Sequence, residues 1–108
     1  MATQSVERLI DKMVRRIVKR FDPEKIILFG SHAKGTARPD SDVDLLIVMP
    51  VAGSKRKIQL ELRTALHDVR LPKDVIVTTP EDFEWRKDVV GTIEYPAATE
   101  GKLLYART

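Results

Sequence analysis

The chain has 108 residues and a mass of 12.3 kDa, which predicts a single domain over residues 1–108. It has no cysteine and two histidines, so disulfide scaffolds and thiolate metal sites are excluded and a multi-histidine zinc site is not favoured. A net charge of +3 and an aromatic content of 6% do not indicate a nucleic-acid partner. Because no apolar run approaches the roughly 20 residues of a membrane span, we expect a cytoplasmic protein without membrane association.

The first predicted element is an amphipathic helix, because apolar residues recur at helical spacing from Val6 to Phe21. Thr3 or Ser5 can cap its start, and Asp22-Pro23 ends it, since the residue before proline disfavours the α region. The opposite face is basic, with Arg8, Lys12, Arg15, Arg16, Lys19 and Arg20. This face is either solvated or a docking surface for an acidic or nucleic-acid partner, with Arg15, Arg16, Lys19 and Arg20 as its contacts.

Three apolar runs predict buried strands, at Lys25–Phe29, Asp44–Met49 and Asp74–Thr79. The intervening segments have helical or turn character: a short helix or turn within 31–41, a long helix from Ile58 to Val69, a helical stretch opening at Thr79 or Pro80, and a last helix near Ile93 that ends at Gly101. The closing residues Leu103–Tyr105 are expected to be a short apolar tail. This alternation predicts an α/β architecture, α+β in some schemes, with helices covering a small sheet.

The segment after the first strand has the features of a phosphate site. Gly30 follows a buried strand and precedes a short helix, where a backbone without a side chain allows close approach and N–H groups attract phosphate. Ser31 adds a hydroxyl donor, and Lys34 adds positive charge. His32, in the same turn, is expected to be a surface residue. A P-loop is excluded, because Gly35 is followed by threonine and alanine rather than by lysine and a hydroxyl residue.

Two carboxylates lie at the mouth of the second strand. Asp42 and Asp44 are two residues apart, so in a strand they share one face and repel each other unless a cation lies between them. Oxygen ligands suit magnesium or manganese. Asp74 reaches the same edge if the third strand lies beside the second. Each feature alone also fits an ordinary turn or a solvated strand end, but their combination favours a phosphoryl-transfer site.

The string from Gly30-Ser31 to Asp42-Val43-Asp44 resembles the signature of the minimal nucleotidyltransferases of the DNA polymerase β superfamily. The segments Gly91–Pro96 and Glu100–Tyr105 are similar to the ending that such proteins carry. The resemblance implies a nucleotidyltransferase fold with a small mixed three-stranded sheet covered by helices. It implies that Gly30, Ser31 and Lys34 bind the nucleotide. It also implies that Asp42, Asp44 and Asp74 are catalytic ligands of Mg²⁺ or Mn²⁺, and that Asp74 helps to activate the acceptor hydroxyl.

The resemblance further implies transfer of a nucleoside monophosphate, AMP from ATP, to a hydroxyl on a partner HEPN-type toxin, a transfer through which the chain acts as an antitoxin. Few residues remain for an acceptor-binding domain, so we expect the acceptor to be a separate protein or the second copy in a homodimer. The alternative is a non-catalytic binding module that neutralises a partner by masking it. Incubation with labelled ATP, magnesium and the product of the neighbouring gene distinguishes the two.

Overall fold

The computed structural model describes residues 5–108, in which five helices and four strands follow one another. Their order agrees with the predicted alternation up to the last helix. The bounds are α1 Val6–Phe21, β1 Lys25–Phe29, α2 Ser31–Lys34, β2 Val43–Val48, α3 Lys55–Leu66, β3 Lys73–Thr78, α4 Pro80–Arg86, α5 Glu94–Glu100 and β4 Lys102–Ala106.

The strands form one mixed sheet in the order β3-β2-β1-β4. β1 is antiparallel to β2 and to β4, whereas β2 and β3 are parallel. The mixed α/β class is confirmed, but the sheet has four strands rather than three. The expected tail Leu103–Tyr105 lies within β4, because its backbone completes the free edge of β1. The N–H of Arg107 donates to the carbonyl oxygen of Glu24 at 2.8 Å and holds the end of this strand.

Local hydrogen bonds explain where the helices begin and end. The Ser5 hydroxyl accepts the N–H of Arg8 at the start of α1, and Thr3 lies outside the described residues. At the other end Asp22 is left-handed, with φ of 47°, and its N–H donates to the carbonyl of Val18. α3 begins earlier than the apolar pattern predicted, because the Ser54 hydroxyl caps it. The capping hydroxyls at the helix starts and the turn at Asp22 each involve only a few neighbouring residues. Features of this kind can be recognised in a sequence.

Helices cover the two faces of the sheet unequally. Met13 and Ile17 of α1 and Leu62 and Leu66 of α3 are fully buried on one face. Burying each such side chain contributes about 1.5–3 kcal/mol. On the other face, the helices that contribute buried side chains within the described part of the chain are the short α4 and α5, which pack on Ile27, Leu46 and Val48. Alternation along β2 puts Asp44 on this second, less covered face.

The basic face of α1 is partly used within the chain. Arg16 donates to the carbonyl of Ala65 at 2.9 Å and forms an ion pair with Asp68, which fastens α1 to α3. The hydrogen bond from Arg16 holds the pKa of Asp68 below its ordinary value. Arg15 pairs with Asp11 at 3.0 Å on the exposed surface. Arg16 is therefore a packing residue of this fold, and the docking interpretation loses one of its contacts.

The outer edge of β3 is closed by a side chain of α3. Gln59 donates through Nε2 to the carbonyl of Val75, and its Oε1 accepts the N–H of Val77 at 3.0 Å. The amide thus replaces a neighbouring strand at two positions, which protects an edge that would otherwise pair with other chains. Gln59 leaves the beginning of β3, at Lys73 and Asp74, uncovered. Within residues 5–108, no helix combines the length and apolar character that crossing a membrane requires.

Candidate active site

One register across three strands brings the predicted site residues together. Phe29, the last residue of β1, pairs with Asp44 of β2, and Asp44 pairs with Asp74 of β3. The N–H of Val43 donates to the carbonyl of Pro72 at 2.9 Å and fixes the start of both parallel strands. The condition stated from the sequence, that the third strand lies beside the second, is met. Gly30, Asp44 and Asp74 consequently lie in a row across one end of the sheet.

Gly30 is required by the carboxylate beside it. Its φ is 75°, a conformation that favours glycine, and a Cβ at this position would lie 2.3 Å from Oδ2 of Asp44. The sequence predicted a glycine that admits a ligand to the backbone; the structure adds that the missing side chain makes room for Asp44. The carbonyl of Gly30 accepts the N–H groups of Ala33 and Lys34, both at 3.1 Å. These bonds set α2, and Ser31 as its first residue, directly against this turn.

The carboxylates of Asp42, Asp44 and Asp74 create a negative electrostatic potential, which positive side chains of the chain offset only in small part. Burial raises the pKa of Asp44, and the negative charges of Asp74 and Asp42 raise it further. His32 opposes this shift. Raised carboxyl pKa values of this origin are typical of sites that bind a cation or transfer protons.

His32 is not a free surface residue as expected. It is half-buried, and its Nε2 lies 3.2 Å from the carbonyl oxygen of Ser41. The contact joins α2 to the segment that carries Asp42. Ser41 is held in turn by the backbone of Arg38, whose N–H donates to the Ser41 hydroxyl at 2.8 Å. The loop before β2 is therefore ordered by its own polar contacts.

Lys34, predicted to bind the nucleotide, has an intramolecular partner. Its Nζ lies 3.2 Å from Oε2 of Glu100, the last residue of α5, and both side chains are about half exposed. An exposed pair of this kind contributes only about 0–1 kcal/mol, so a phosphate can replace the carboxylate at little cost. Glu100 was missed in the sequence, because only the tertiary fold brings the end of α5 next to α2.

The donor set at this end of the sheet is made of oxygen atoms alone, which is the chemistry that Mg²⁺ and Mn²⁺ prefer. Within the described residues 5–108, no three histidine, cysteine, aspartate or glutamate side chains are arranged to hold a metal ion by themselves. Asp42, Asp44 and Asp74 would therefore need water and phosphate oxygens to complete the shell of a cation, as Mg²⁺ usually does.

A further cavity lies away from these carboxylates. It measures about 690 Å³ and is lined by residues of α3, β3 and the segment before α5, without Asp42, Asp44 or Asp74. The sequence did not single out Glu94, which lines it and is only 5% exposed. Glu94 accepts the Thr78 hydroxyl at 2.7 Å and lies 3.9 Å from Arg86. These contacts explain its burial as the anchor of α5 on β3.

The sequence that contains Gly30, Asp44 and Asp74 is similar to that of known proteins. The family model described as a nucleotidyltransferase domain matches residues 10–97, which include all three. The chain belongs to this nucleotidyltransferase family. The match runs from α1 into α5, so the helices that support the row are part of the domain. Membership agrees with the resemblance that the motif between Gly30 and Asp44 carries.

A curated relative is a protein of Methanocaldococcus jannaschii, MJ1305, provisionally described as a protein adenylyltransferase. It is 33% identical to the nucleotidyltransferase domain over 73 residues, which are 66% of this chain. The chain spans 48% of the length of that relative.

Solved structures share the fold at lower identity. A provisionally assigned nucleotidyltransferase of Sulfolobus solfataricus is 22% identical with a TM-score of 0.60, covering 93% of this chain and 79% of its own. A toxin–antitoxin structure with AMP-PNP is 20% identical with a TM-score of 0.56, covering 96% and 76%. A complex of the tri-AMPylated HEPN toxin of Shewanella oneidensis with an MNT antitoxin is 17% identical with a TM-score of 0.50, covering 94% and 72%. All three support the nucleotidyltransferase fold.

The repulsion in the site predicts the effect of neutralising Asp44. A raised pKa means that folding disfavours the ionised carboxylate, so stability is lost as the pH rises from the ordinary aspartate pKa through the raised one. Asp44→Asn should therefore raise the melting temperature at pH 7 in EDTA, and this gain should shrink as the pH falls toward about 4. Thermal unfolding followed by circular dichroism across this range measures both effects.

The matched control is Asp40→Asn, which removes an exposed carboxylate from the same loop and should leave the melting temperature unchanged. A wild-type protein as stable as Asp44→Asn at pH 7, or more stable, contradicts the interpretation.

Proposed function

We propose that this nucleotidyltransferase domain transfers AMP from ATP to a hydroxyl of a partner protein, with the help of a divalent cation. The observation that carries the proposal is the register that aligns Phe29, Asp44 and Asp74, with Gly30 adjoining the first of them. Family membership and the description of the M. jannaschii relative support the same class of reaction.

In this proposal the nucleotide lies at the β1 side of the row. Gly30 offers an unobstructed backbone, and Ser31 supplies a hydroxyl donor at the start of α2. Lys34, at the end of the same short helix, exchanges its contact with Glu100 for a phosphate oxygen of the triphosphate. Hydrogen bonds to a charged acceptor contribute about 1.5–3 kcal/mol each, so this small set orients the triphosphate.

Asp42 and Asp44 would hold the cation that binds with the nucleotide, and Asp74 lies beside them as the general base or the ligand of a second cation. When bound, Mg²⁺ neutralises part of the charge of the triphosphate and makes the α-phosphorus more open to attack. The raised pKa of Asp44 supports this assignment, since burial and the charges of Asp74 and Asp42 disfavour a carboxylate that a bound cation would stabilise. The gap that Gly30 leaves beside Oδ2 of Asp44 lets the carboxylate sit directly against the phosphate-binding turn.

Asp74 acts on the hydroxyl group of the acceptor. The hydroxyl oxygen forms a new bond to the α-phosphorus, the bond from that phosphorus to the bridging oxygen breaks, and pyrophosphate leaves. The hydroxyl proton passes to the carboxylate of Asp74. Asp74 is exposed at the start of the edge strand, where an incoming hydroxyl can reach it. In-line transfer needs the attacking oxygen about 3–3.5 Å from phosphorus, so positioning accounts for much of the rate.

We further propose that the acceptor is a HEPN-type toxin and that transfer inactivates it, which makes the chain an antitoxin. Two toxin–antitoxin structures share its fold, and one of them contains a tri-AMPylated toxin. A carboxylate row that ends at an exposed edge strand also suits a protein acceptor, because a docked protein supplies its own wall and excludes water.

Intact mass spectrometry of the neighbouring gene product tests this proposal. After incubation with ATP and Mg²⁺, the neighbour should gain one or more AMP units, and Asp44→Asn should abolish the gain. Asp40→Asn is the matched control and should transfer as the wild type does. An unmodified neighbour that still forms a stable complex contradicts transfer and supports masking instead.

Asp74→Asn separates transfer from nucleotide binding. Because Asp74 acts on the acceptor proton, the variant should keep its ATP affinity within a few-fold while turnover falls by about two orders of magnitude or more. Calorimetric titration with ATP and a single-turnover transfer assay measure the two quantities. Equal losses in both would make Asp74 an ordinary ligand.

A further inference from the structure

We propose that the basic side chains of α1 and α3 form a surface that binds the phosphate backbone of a nucleic-acid duplex. The net charge of +3, which by itself does not indicate a nucleic-acid partner, is unevenly distributed along the chain. α1 has six basic and two acidic side chains, a net charge of +4, and α3 has four and one, a net charge of +3. The rest of the chain therefore has a net charge of −4. A polyanion responds to the local charge of a surface rather than to the total.

The basic side chains of α1 lie on the side of the helix next to α3. Arg16 contacts Asp68, just after the end of α3, and the hydrogen bond from Arg16 and the nearby charge of Lys12 both lower the pKa of Asp68. Glu7 and Asp11 lie on the other side of α1, where they line a small cavity with β4. Four cations recur at helical spacing and form a row of about 16 Å along α1: Arg8, Lys12, Arg15 and Lys19.

Ion pairs within the chain neutralise few of these cations. On α1, Arg15 pairs with Asp11 and Arg16 with Asp68, and on α3 only Lys55 has a partner among residues 5–108. We call the remaining cations of the two helices the basic surface. Those without a carboxylate in ion-pair distance among residues 5–108 include Arg8, Lys12 and Lys19 on α1 and Arg56, Lys57 and Arg63 on α3.

The scarcity of exposed apolar side chains on the two helices favours a nucleic acid over an acidic protein. Within the described residues, α1 and α3 expose large apolar side chains only at Val6, in the first turn, and at Leu60. Protein interfaces are usually centred on a cluster of apolar and aromatic anchors. Trp85, an exposed aromatic side chain, belongs to α4, which covers the opposite face of the sheet. Because single strands stack their bases on aromatic side chains, cations alone suit the phosphates of a duplex.

The basic surface is separate from the carboxylate site. α1 and α3 pack on the face of the sheet that contains the side chains of Val43 and Leu45. The side chains of Asp44 and Asp74 point to the opposite face, because side chains alternate along β2 and β3. A duplex bound to α1 and α3 therefore leaves the carboxylates accessible to nucleotide and acceptor. Binding of the duplex does not depend on AMP transfer.

Fluorescence anisotropy with a labelled 20-base-pair RNA duplex, at 50 to 300 mM NaCl, tests the basic surface. The logarithm of the affinity should fall with the logarithm of the salt concentration with a slope near −4, which corresponds to about four or five phosphate contacts. Lys19→Glu and Lys57→Glu, one exposed position on each helix, should each lower the affinity about five- to ten-fold at 0.1 M salt and flatten the slope by about one.

Arg38→Glu is the matched control. Arg38 is an exposed residue of the loop before β2, at the carboxylate end of the sheet, and no carboxylate of residues 5–108 lies within ion-pair distance of it. This variant makes a comparable charge change and should bind the duplex as the wild type does. Circular dichroism verifies the fold of each variant, and Lys19→Gln and Lys57→Gln replace any charge reversal that unfolds.

A DNA duplex of the same length is measured in parallel, and binding of either duplex supports the basic surface, because both present phosphodiester groups. Absence of binding at 50 mM salt, or a slope flatter than −2, overturns it. An equal loss of affinity in Arg38→Glu would locate the duplex at the carboxylate end and also overturns it. Tighter binding of the single strand, or displacement of the duplex by poly-L-glutamate at equal charge concentration, contradicts the choice of a duplex. Since no arm of this test uses AMP transfer, failure of the proposed function leaves its result valid.

Discussion

The approach of the Asp44 carboxylate to the backbone of Gly30 is the constraint on which the rest of the site depends. A Cβ at Gly30 would lie 2.3 Å from Oδ2 of Asp44, so the two residues occupy one space that only glycine leaves open. The left-handed backbone at Gly30 turns the chain from β1 into α2 at this point. Because Phe29 pairs with Asp44 and Asp44 with Asp74, the same register also brings the third carboxylate alongside. If β2 shifted by one residue against its neighbours, the side chain of Asp44 would point to the face that α1 and α3 cover. The three residues would then no longer lie in a row.

This register gathers like charges where the sheet is least covered. Burial and the charges of Asp74 and Asp42 both disfavour the ionised form of Asp44, so the site lowers the stability of the fold that builds it. The opposing stabilisation comes from the other face, where α1 and α3 bury their apolar side chains against β2. The ion pair between Arg16 and Asp68 adds a tie between those two helices. The packed face and the charged end of the sheet are separate. The domain can therefore hold carboxylates that repel one another without a loss of core packing.

The local part of this structure was predictable from the sequence. β1 has the predicted bounds, the Ser5 cap and the Asp22 stop define α1, and a glycine followed by a short helix was expected after β1. These features depend on a few neighbouring residues. The adjacency of Asp44 and Asp74 could only be stated conditionally, because nothing local decides which strands pair.

Most of the features that the sequence did not predict depend on distant segments. β4 is strand only because β1 has a free edge, and its Leu103–Tyr105 run is too short to indicate a strand alone. The partner of Lys34 lies at the end of α5, and the role of Arg16 depends on α3. The motif therefore indicated the candidate site residues, whereas their partners within the chain depend on the tertiary fold.

Paramagnetic broadening by Mn²⁺ in two-dimensional NMR spectra tests the central claim most directly, since it locates the cation without requiring turnover. With a non-hydrolysable ATP analogue present, Mn²⁺ should first broaden the amide signals of residues 30–34, 42–44 and 73–75, and excess Mg²⁺ should restore them. Broadening centred on the large cavity near Lys55 and Glu94, or spread evenly over the acidic surface, would contradict the assignment of the row as the cation and nucleotide site.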